Sequence, residues 1–204
     1  MKKDWQARLL EITETDRALW REGCVFAGID EAGRGPLCGP VAAACVVMPP
    51  EPLLLYVDDS KKLTEKRREA LYDEILKTAV YARVALASAE EIDRLNILQA
   101  TKKAMAEAAE DAPCSLFLVD AVDALDVKGE VRGIVHGDAL CYSIAAASIL
   151  AKVTRDRLLR EMDARYPEYG FARNKGYGTA EHIAALKRFG PCPEHRRSFI
   201  GHFV

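Results

Sequence analysis

Two adjacent acidic residues, Asp30 and Glu31, follow the apolar run at 24–29 and precede a loop that is rich in glycine. Like charges this close repel one another, and near apolar surface they are poorly solvated. A bound cation would relieve both problems, because hard divalent cations take carboxylate oxygens as ligands. Exposure to water would also relieve them, without any function. The pair alone therefore leaves open a metal site and a solvated turn.

Two further acids stand where apolar segments of the sequence end. Asp120 directly ends the run SLFLV at 115–119, and Asp138 lies between a predicted strand and a long predicted helix. Taken singly, Asp138 fits the N-cap of that helix, and Asp120 could be an exposed strand end with Asp123 and Asp126 as rivals. Acids at the ends of neighbouring strands can, however, converge at one edge of a sheet and hold two hard cations for phosphodiester hydrolysis. The four positions together favour such a two-metal site.

The loop after the first acidic pair, GRGPLCGP at 33–40, leads into a predicted strand. It therefore lacks the dinucleotide-binding fingerprint, which opens a helix, and it lacks the G-K-[ST] ending of a P-loop. Glycines at these positions can expose the backbone for the close approach of a ligand. A purely structural turn is the alternative, and the spacing alone does not separate the two.

Several cations and one tyrosine suggest contacts with a phosphate backbone. Lys61 and Lys62 stand in a polar loop, and Tyr177 lies between glycines after Arg173 and Lys175. An aromatic ring placed in this way can lie on a base or sugar while the cations meet phosphate. A solvated lysine pair and a packed tyrosine are the alternatives. The long predicted helix extends this basic rim with Lys152, Arg155 and Arg157.

The composition is that of an ordinary globular protein. Of the 204 residues, 50% are hydrophobic and 29% are charged, and the formal net charge of −2 gives no global signature of a nucleic-acid binder. The start of the chain lacks a secretory pattern, and no stretch approaches the ~18 apolar residues of a membrane span. The 6 cysteines occur singly, which predicts reduced thiols. We therefore expect a cytoplasmic monomer that does not bind membranes.

Hydrophobic periodicity and turn residues predict alternating helices and strands. Helices are predicted over 3–22, 65–77 with Thr64 as N-cap, 89–110 with Ser88 and Glu91 in a capping box, 139–166, and 178–190 with Gly190 at the end. Strands are predicted over 24–30, 40–48, 79–87, 115–121 and 131–138. Because only a tight loop joins the first two strands, they must be antiparallel, and the sequence predicts a mixed α/β sheet with helices packed against it.

Five separated segments match the pattern of one known family, in order: GIDEAGRGPLCGPVAAA, DDSKKLTEKRRE, GDALCYSIAAASILAKVTRD, NKGYGTAEH and HRRSF. From about residue 24 to its end the chain resembles type 2 ribonuclease H (ribonuclease HII). The resemblance implies a ribonuclease H-like mixed β-sheet flanked by helices, with a helical C-terminal segment. We expect one domain over 1–204, with an N-terminal helix (1–22), an α/β catalytic core (24–165) and a C-terminal segment (166–204) packed on the core.

The resemblance also implies an activity, a cofactor and a set of site residues. The activity is endonucleolytic cleavage 5′ of ribonucleotides in RNA–DNA hybrids and of single ribonucleotides embedded in duplex DNA, with two ions of Mg²⁺ or Mn²⁺. The catalytic, metal-binding carboxylates that it implies are Asp30, Glu31, Asp120 and Asp138. The substrate-binding residues that it implies are Gly33, Arg34 and Gly35 for the ribose 2′-hydroxyl, Tyr177 for the sugar, and Lys61 for a phosphate.

Three positions depart from the family pattern: Ala121, His136 and Asn174 stand where glycine, lysine and histidine are usual. None of these departures removes a carboxylate. Two other functions are alternatives to the nuclease. A magnesium-dependent phosphatase would want a D-x-D nucleophile element, which GIDEAG does not supply. A non-catalytic hybrid-binding module would be expected to lose acids at the metal site, yet all four are present.

Overall fold

The structure is a computed structural model that describes residues 4–122 and 124–204. Its strands are β1 (Phe26–Ala32), β2 (Val41–Val47), β3 (Tyr81–Ala87), β4 (Leu116–Asp120) and β5 (Glu130–Ile134). They form one sheet in the order β3-β2-β1-β4-β5. β1 pairs antiparallel with β2 and parallel with β4. The predicted mixed sheet and the antiparallel first pair are therefore confirmed.

Helices surround this sheet and continue beyond it to the end of the chain. Their bounds are α1 (Trp5–Ile12), α2 (Glu14–Arg21), α3 (Glu65–Thr78), α4 (Ala89–Leu95), α5 (Ile97–Ala109), α6 (Gly137–Leu140), α7 (Tyr142–Arg165), α8 (Phe171–Asn174), α9 (Ala180–Phe189) and α10 (Arg197–Ile200). Short 3₁₀ turns lie at Ser60–Lys62 and Pro167–Tyr169. No helix in the described part of the chain has the length and apolar character needed to cross a membrane.

The two faces of the sheet bury different helices, because alternate residues of a strand point to opposite sides. Ala27 and Ile29 of β1 pack in a cluster with α5, whereas Phe26 packs on the other face with residues at the start of α7. Gly28 also faces α7, where a Cβ atom would overlap the backbone of Ser143. The missing side chain lets α7 lie directly against β1, beside the first acidic pair.

Several predicted boundaries are confirmed. The Thr64 hydroxyl accepts a hydrogen bond from the Arg67 N–H at the start of α3. Ser88 and Glu91 form the predicted capping box of α4, and Gly190 ends α9 with a φ of 74°. All 6 cysteines are free thiols, as their isolated positions indicate.

Two helices that the sequence predicts as continuous are interrupted. The predicted N-terminal helix over 3–22 ends at Ile12 and begins again at Glu14, and the break at Thr13 turns α2 so that buried Asp16 reaches the start of α7. The predicted helix over 89–110 breaks at Asn96, whose φ of 71° is left-handed. Asn96 then caps α5 through its side chain.

The segment around Asp138 also differs from the prediction. β5 ends at Ile134 rather than at 138, and Asp138 lies within the separate short helix α6. The long helix α7 begins at Tyr142, and the carboxylate of Asp16 accepts hydrogen bonds from its first N–H groups. Asp138 is therefore not the cap of the long helix, which leaves its carboxylate available for another role.

Candidate active site

Three of the four predicted carboxylates converge. Asp30, Asp120 and Asp138 each place one oxygen atom within 4.8 Å of the others, and this is the only such group of three or more in residues 4–122 and 124–204. Asp30 lies on β1 and Asp120 ends β4, which runs parallel to β1 with Ile29 opposite Val119. Parallel neighbours end at the same edge of a sheet, so this pairing brings the two acids together.

Helix α6 adds the third acid from the connection that follows β5. The Asp120 carboxylate accepts a hydrogen bond of 2.8 Å from the Gly137 N–H, which ties the start of α6 to the end of β4. Ala121 and His136 flank this contact with φ values of 48° and 60°. L-residues adopt this left-handed conformation at a cost that glycine avoids, which explains in physical terms why glycine suits position 121.

Glu31 does not join the group of three. Adjacent side chains of a strand point to opposite faces, so Asp30 and Glu31 can share a site only if β1 ends at this pair. However, β1 continues to Ala32, which pairs with Ala42 of β2. Glu31 instead lies 3.6 Å from the guanidinium of Arg34. It still lines the same cavity as Asp30 and Asp120, so it belongs to the site as a fourth, more distant acid.

The site is a cavity of about 320 Å³ between the sheet edge and the glycine-rich loop. The residues that line it are Asp30, Glu31, Ala32, Gly33, Arg34, Gly35, Ser60, Lys61, Asp120, Ser148, Lys152, Arg155 and Tyr177. Each of the five predicted substrate-binding residues is among them. The alternative acid Asp126 is exposed and outside this set, and Asp123 lies outside the described residues.

Negative charge accumulates in this cavity. Burial and the charge of Glu31 raise the pKa of Asp30 well above its ordinary value. Burial also raises the pKa of Asp120, with the neighbouring Asp138 adding to the shift. Burial raises the pKa of Glu31 as well, although Arg34 opposes the shift. Crowded carboxylates that resist ionisation form a site that a cation would stabilise.

Lys61 and Tyr177 flank the carboxylates on two sides. The Lys61 ammonium donates to the Asp138 carboxylate at 3.1 Å, while 76% of its side chain stays exposed. The Tyr177 ring is half exposed and lies over the loop, since a Cβ atom on Gly35 would stand 3.6 Å from its Cε1. A cation and an aromatic face are thus both open to solvent beside the acids.

The predicted basic rim of α7 is wrong for Arg155, and its other two cations are paired with acids. Arg155 is 1% exposed and its guanidinium donates to backbone carbonyl groups beneath the glycine-rich loop. Lys152 donates to buried Asp156, and Arg157 donates to Glu69 of α3. These cations are engaged within the protein, because α7 packs its charged half against α3 and the loop.

Sequence reasoning did not single out several residues that shape the site. The hydroxyl of Ser148 on α7 hydrogen-bonds to Asp30 and lies 2.9 Å from the hydroxyl of Ser60. Arg196 is fully buried beneath the loop. The only sequence signal for these residues was their place inside the motifs GDALCYSIAAASILAKVTRD, DDSKKL and HRRSF.

The donor set fits hard divalent cations. Carboxylate oxygens are the ligands that Mg²⁺ and Mn²⁺ prefer, and no histidine or cysteine joins the group of Asp30, Asp120 and Asp138 in the described part of the chain. The three acids come from different elements and are held by the sheet and by the Gly137 hydrogen bond. The arrangement can therefore bind divalent metal beside an open surface suited to a polyanion.

Comparisons with known proteins point to one family. A sequence model described as Ribonuclease HII matches residues 27–202. A ribonuclease HII from Desulfitobacterium hafniense (strain DSM 10664 / DCB-2) is 52% identical over 206 residues, which cover 97% of this chain and 79% of that protein. One from Acetivibrio thermocellus is 51% identical, over 97% of this chain and 78% of that protein.

Solved structures agree with the sequence comparison. The crystal structure of the ribonuclease H2 from Pyrococcus horikoshii OT3 matches with a TM-score of 0.72 at 27% identity, over 85% of this chain and 92% of that one. The ribonuclease HII in a complex with PCNA from Archaeoglobus fulgidus matches with a TM-score of 0.74 at 27% identity, over 87% of this chain and 96% of that one.

Proposed function

The chain belongs to the ribonuclease HII family, whose members are metal-dependent hydrolases of RNA in RNA–DNA hybrids, and from this premise we propose its substrates and site residues. The proposed reaction is hydrolysis of the phosphodiester 5′ of a ribonucleotide, in a hybrid or as a single residue in duplex DNA. The products carry 3′-hydroxyl and 5′-phosphate ends. Such a reaction serves the removal of ribonucleotides during DNA replication and repair.

One observation carries the proposal. Three carboxylates from two parallel strands and a short helix meet within 4.8 Å, beside a cavity whose other wall is a glycine-rich loop and a half-exposed tyrosine. The acids Asp30, Asp120 and Asp138 would hold Mg²⁺ or Mn²⁺, with Glu31 in the same cavity. Two bound ions would stabilise the attacking and the leaving oxygen atoms of the phosphodiester.

The loop and Tyr177 would recognise the ribonucleotide. The 2′-hydroxyl group distinguishes RNA from DNA, so a selective enzyme must contact it closely. The backbone N–H groups of Arg34 and Gly35 have no acceptor within the described residues and are free to donate to a 2′-oxygen. The Tyr177 ring would lie against the sugar at the junction, and the exposed Lys61 ammonium would contact a phosphate.

The free thiols support a proposal for the compartment. All 6 cysteines are unpaired, and proteins that keep their thiols reduced are typical of the cytoplasm, where the chromosome of a bacterial cell also lies. We propose that the chain works there as a monomer on nucleic acid, without a membrane partner.

A cleavage assay tests the proposed function. A labelled DNA duplex with a single ribonucleotide is incubated with the protein in Mg²⁺, in Mn²⁺, or in EDTA, and the cut is mapped to the nucleotide. We expect one cut, 5′ of the ribonucleotide, with either metal and none in EDTA, and a 3′ end that a DNA polymerase can extend. The same duplex without the ribonucleotide is the control. Equal cleavage of the all-DNA control would contradict the proposal.

A further inference from the structure

The glycine-rich loop at 33–40 turns its carbonyl groups toward the protein interior. The Arg196 guanidinium donates to the carbonyl oxygens of Gly33 (2.6 Å) and Arg34 (2.9 Å). Its further acceptors are the carbonyl oxygens of Pro36 (2.9 Å) and Gly39 (3.0 and 2.8 Å). Its own backbone N–H donates to the Leu37 carbonyl.

Arg155 donates hydrogen bonds to further carbonyl groups of the loop. Its guanidinium donates to the carbonyl oxygens of Cys38 (3.0 Å) and Pro40 (2.9 Å), and to that of Lys175 in the segment before Tyr177 (3.0 Å). The two arginines thus bind every carbonyl group of the loop except that of Gly35. Arg155 also joins the loop to the segment that carries Tyr177.

Neither guanidinium forms an ion pair within the described residues, although both are almost fully buried. Burial and the charge of Arg155 lower the pKa of Arg196 to about 9, which still leaves it charged at neutral pH. A buried cation without a carboxylate partner is unfavourable unless dipoles surround it. Here the carbonyl dipoles of the loop take that place, so the conformation of the loop and the charge of the arginines depend on each other.

The loop is shaped to allow this arrangement. Gly33 has a φ of 98°, and a Cβ atom at that position would overlap the Arg155 guanidinium. With the carbonyl groups directed inward, the N–H groups of Arg34 and Gly35 lack an acceptor in residues 4–122 and 124–204. Successive free N–H groups form a concave set of donors that suits an anion or a hydroxyl oxygen.

We propose that Arg155 and Arg196 are positioning residues that hold the 33–40 loop with its free N–H groups toward the substrate, and thereby set the preference for a ribonucleotide over a deoxyribonucleotide. The inference rests on the proposed function and deepens it. Neither residue touches the reacting atoms. Lysine cannot replace either of them, because its ammonium lacks the planar fork that reaches several carbonyl groups at once.

The test compares R196K with R197K, a matched control at the next position, where α10 begins and the side chain is exposed. Dissociation constants are measured in EDTA for an all-DNA duplex and for the same duplex with one ribonucleotide. The selectivity is the dissociation constant for the all-DNA duplex divided by that for the ribonucleotide duplex. A merely structural defect lowers the active fraction and leaves this ratio unchanged. We expect R196K to reduce the ratio about tenfold, the effect of one lost hydrogen bond or two, and R197K to keep it.

R155K provides the second variant, and we expect it to reduce the same ratio. Near-UV circular dichroism confirms that each variant is folded. If both folded variants keep the wild-type ratio, the inference is wrong, and if both lose the fold, the arginines serve overall stability and the inference is equally wrong. A wild-type protein that neither prefers nor cleaves the ribonucleotide duplex would instead refute the proposed function.

Discussion

The carboxylate of Asp16 accepts a hydrogen bond of 2.9 Å from the backbone N–H of Tyr142. It also accepts one of 3.0 Å from the N–H of Ser143 and one from the Cys141 thiol. The N–H groups in the first turn of a helix have no acceptor within the helix. Here a carboxylate from α2 serves as the acceptor for those of α7. The N-terminal helices therefore fix the start of α7, directly after the short helix that carries Asp138.

Replacing Asp16 tests this contact. Asp16→Ala should lower the free energy of unfolding by about 2–3 kcal/mol, because buried N–H groups lose their acceptor. Glu14→Ala, at an exposed position in the same helix, should change it by less than about 0.5 kcal/mol. Urea denaturation followed by circular dichroism measures both. Equal stabilities of the two variants would show that the cap contributes nothing.

The group of three acids predicts a separation of catalysis from binding. Asp120→Asn should reduce cleavage of a ribonucleotide-containing duplex at least about 100-fold, the scale of one lost electrostatic contact to a transition state, since it removes a charge from the metal-binding set. Affinity for the duplex in EDTA should persist. Asp126→Asn, at an exposed acid outside the cavity, is the control and should cleave normally. Near-normal turnover by Asp120→Asn would rule out the assigned metal site.

The same acids predict a stability effect that does not depend on activity. Burial, together with the neighbouring acids, disfavours the charged forms of Asp30 and Asp120 and raises their pKa values, so the ionised site destabilises the protein without metal. Added Mg²⁺ or Mn²⁺ should raise the melting temperature of the wild type by a few degrees, since about 1 kcal/mol corresponds to about 2–4 °C at this chain length. Asp120→Asn should melt higher than wild type in EDTA and respond less to metal. An equal response of both proteins would count against the site.

Local patterns in the sequence predicted much of the fold. The Ser88 capping box, the Thr64 cap and the Gly190 stop depend on neighbouring residues, and each is confirmed. The antiparallel β1–β2 pair follows from the short loop between them. These features arise from chemistry within a few residues of chain, where sequence is informative.

Features that depend on distant contacts were not predictable. Asp16 and Tyr142 are 126 positions apart, and nothing near Asp16 indicates that it caps α7. Arg155 was expected on a basic rim because it follows Lys152 on the helix, yet loop carbonyl groups brought in from residues 38–40 surround it. Glu31 was expected among the close acids, and the continued pairing of β1 with β2 moves it away. The closeness of Asp30 and Asp120 was predictable, because the ends of adjacent parallel strands meet whatever lies between them.

A larger side chain at position 35 of the glycine-rich loop (33–40) should leave the stability of the protein nearly unchanged but impair its activity. A Cβ atom on Gly35 meets only the Tyr177 ring at ordinary contact distance, so Gly35→Val should leave the melting temperature nearly unchanged. The valine side chain would occupy space in the cavity beside the Tyr177 ring and should impair cleavage at a single embedded ribonucleotide. Gly201→Val is the control, since position 201 has open space. If Gly35→Val cleaves like wild type, the loop does not read the ribose.

A buried histidine pair behind Tyr177 predicts how stability depends on pH. The Nε2 atoms of His182 and His195 lie 3.0 Å apart, His182 Nδ1 lies 2.9 Å from the Tyr177 carbonyl oxygen, and the Cys192 N–H donates to His195 Nδ1. If both rings are neutral, His182 donates to Tyr177 and His195 donates to His182. A second proton on His182 Nε2 would face the His195 N–H, and one on His195 Nδ1 would face the Cys192 N–H with only the weak acceptor Cys192 Sγ nearby, at 3.1 Å. Burial and the neighbouring His182 lower the pKa of His195 to about 4.

An unfolded histidine titrates near pH 6.5, so the unfolded chain binds a proton at this position below that pH. Folded His195 binds the proton only near pH 4. This group should therefore leave stability unaffected above about pH 6.5 and lower it by about 3 kcal/mol as the pH falls to 4. His195→Asn keeps an acceptor for the Cys192 N–H and removes the titration, and exposed His202→Asn is the control. Because the buried carboxylates titrate alike in all three proteins, the difference in unfolding free energy between wild type and His195→Asn isolates the histidine pair, in which burial also lowers the pKa of His182. A difference that stays constant from pH 7 to pH 4.5 would mean that His195 is not held neutral in the folded protein.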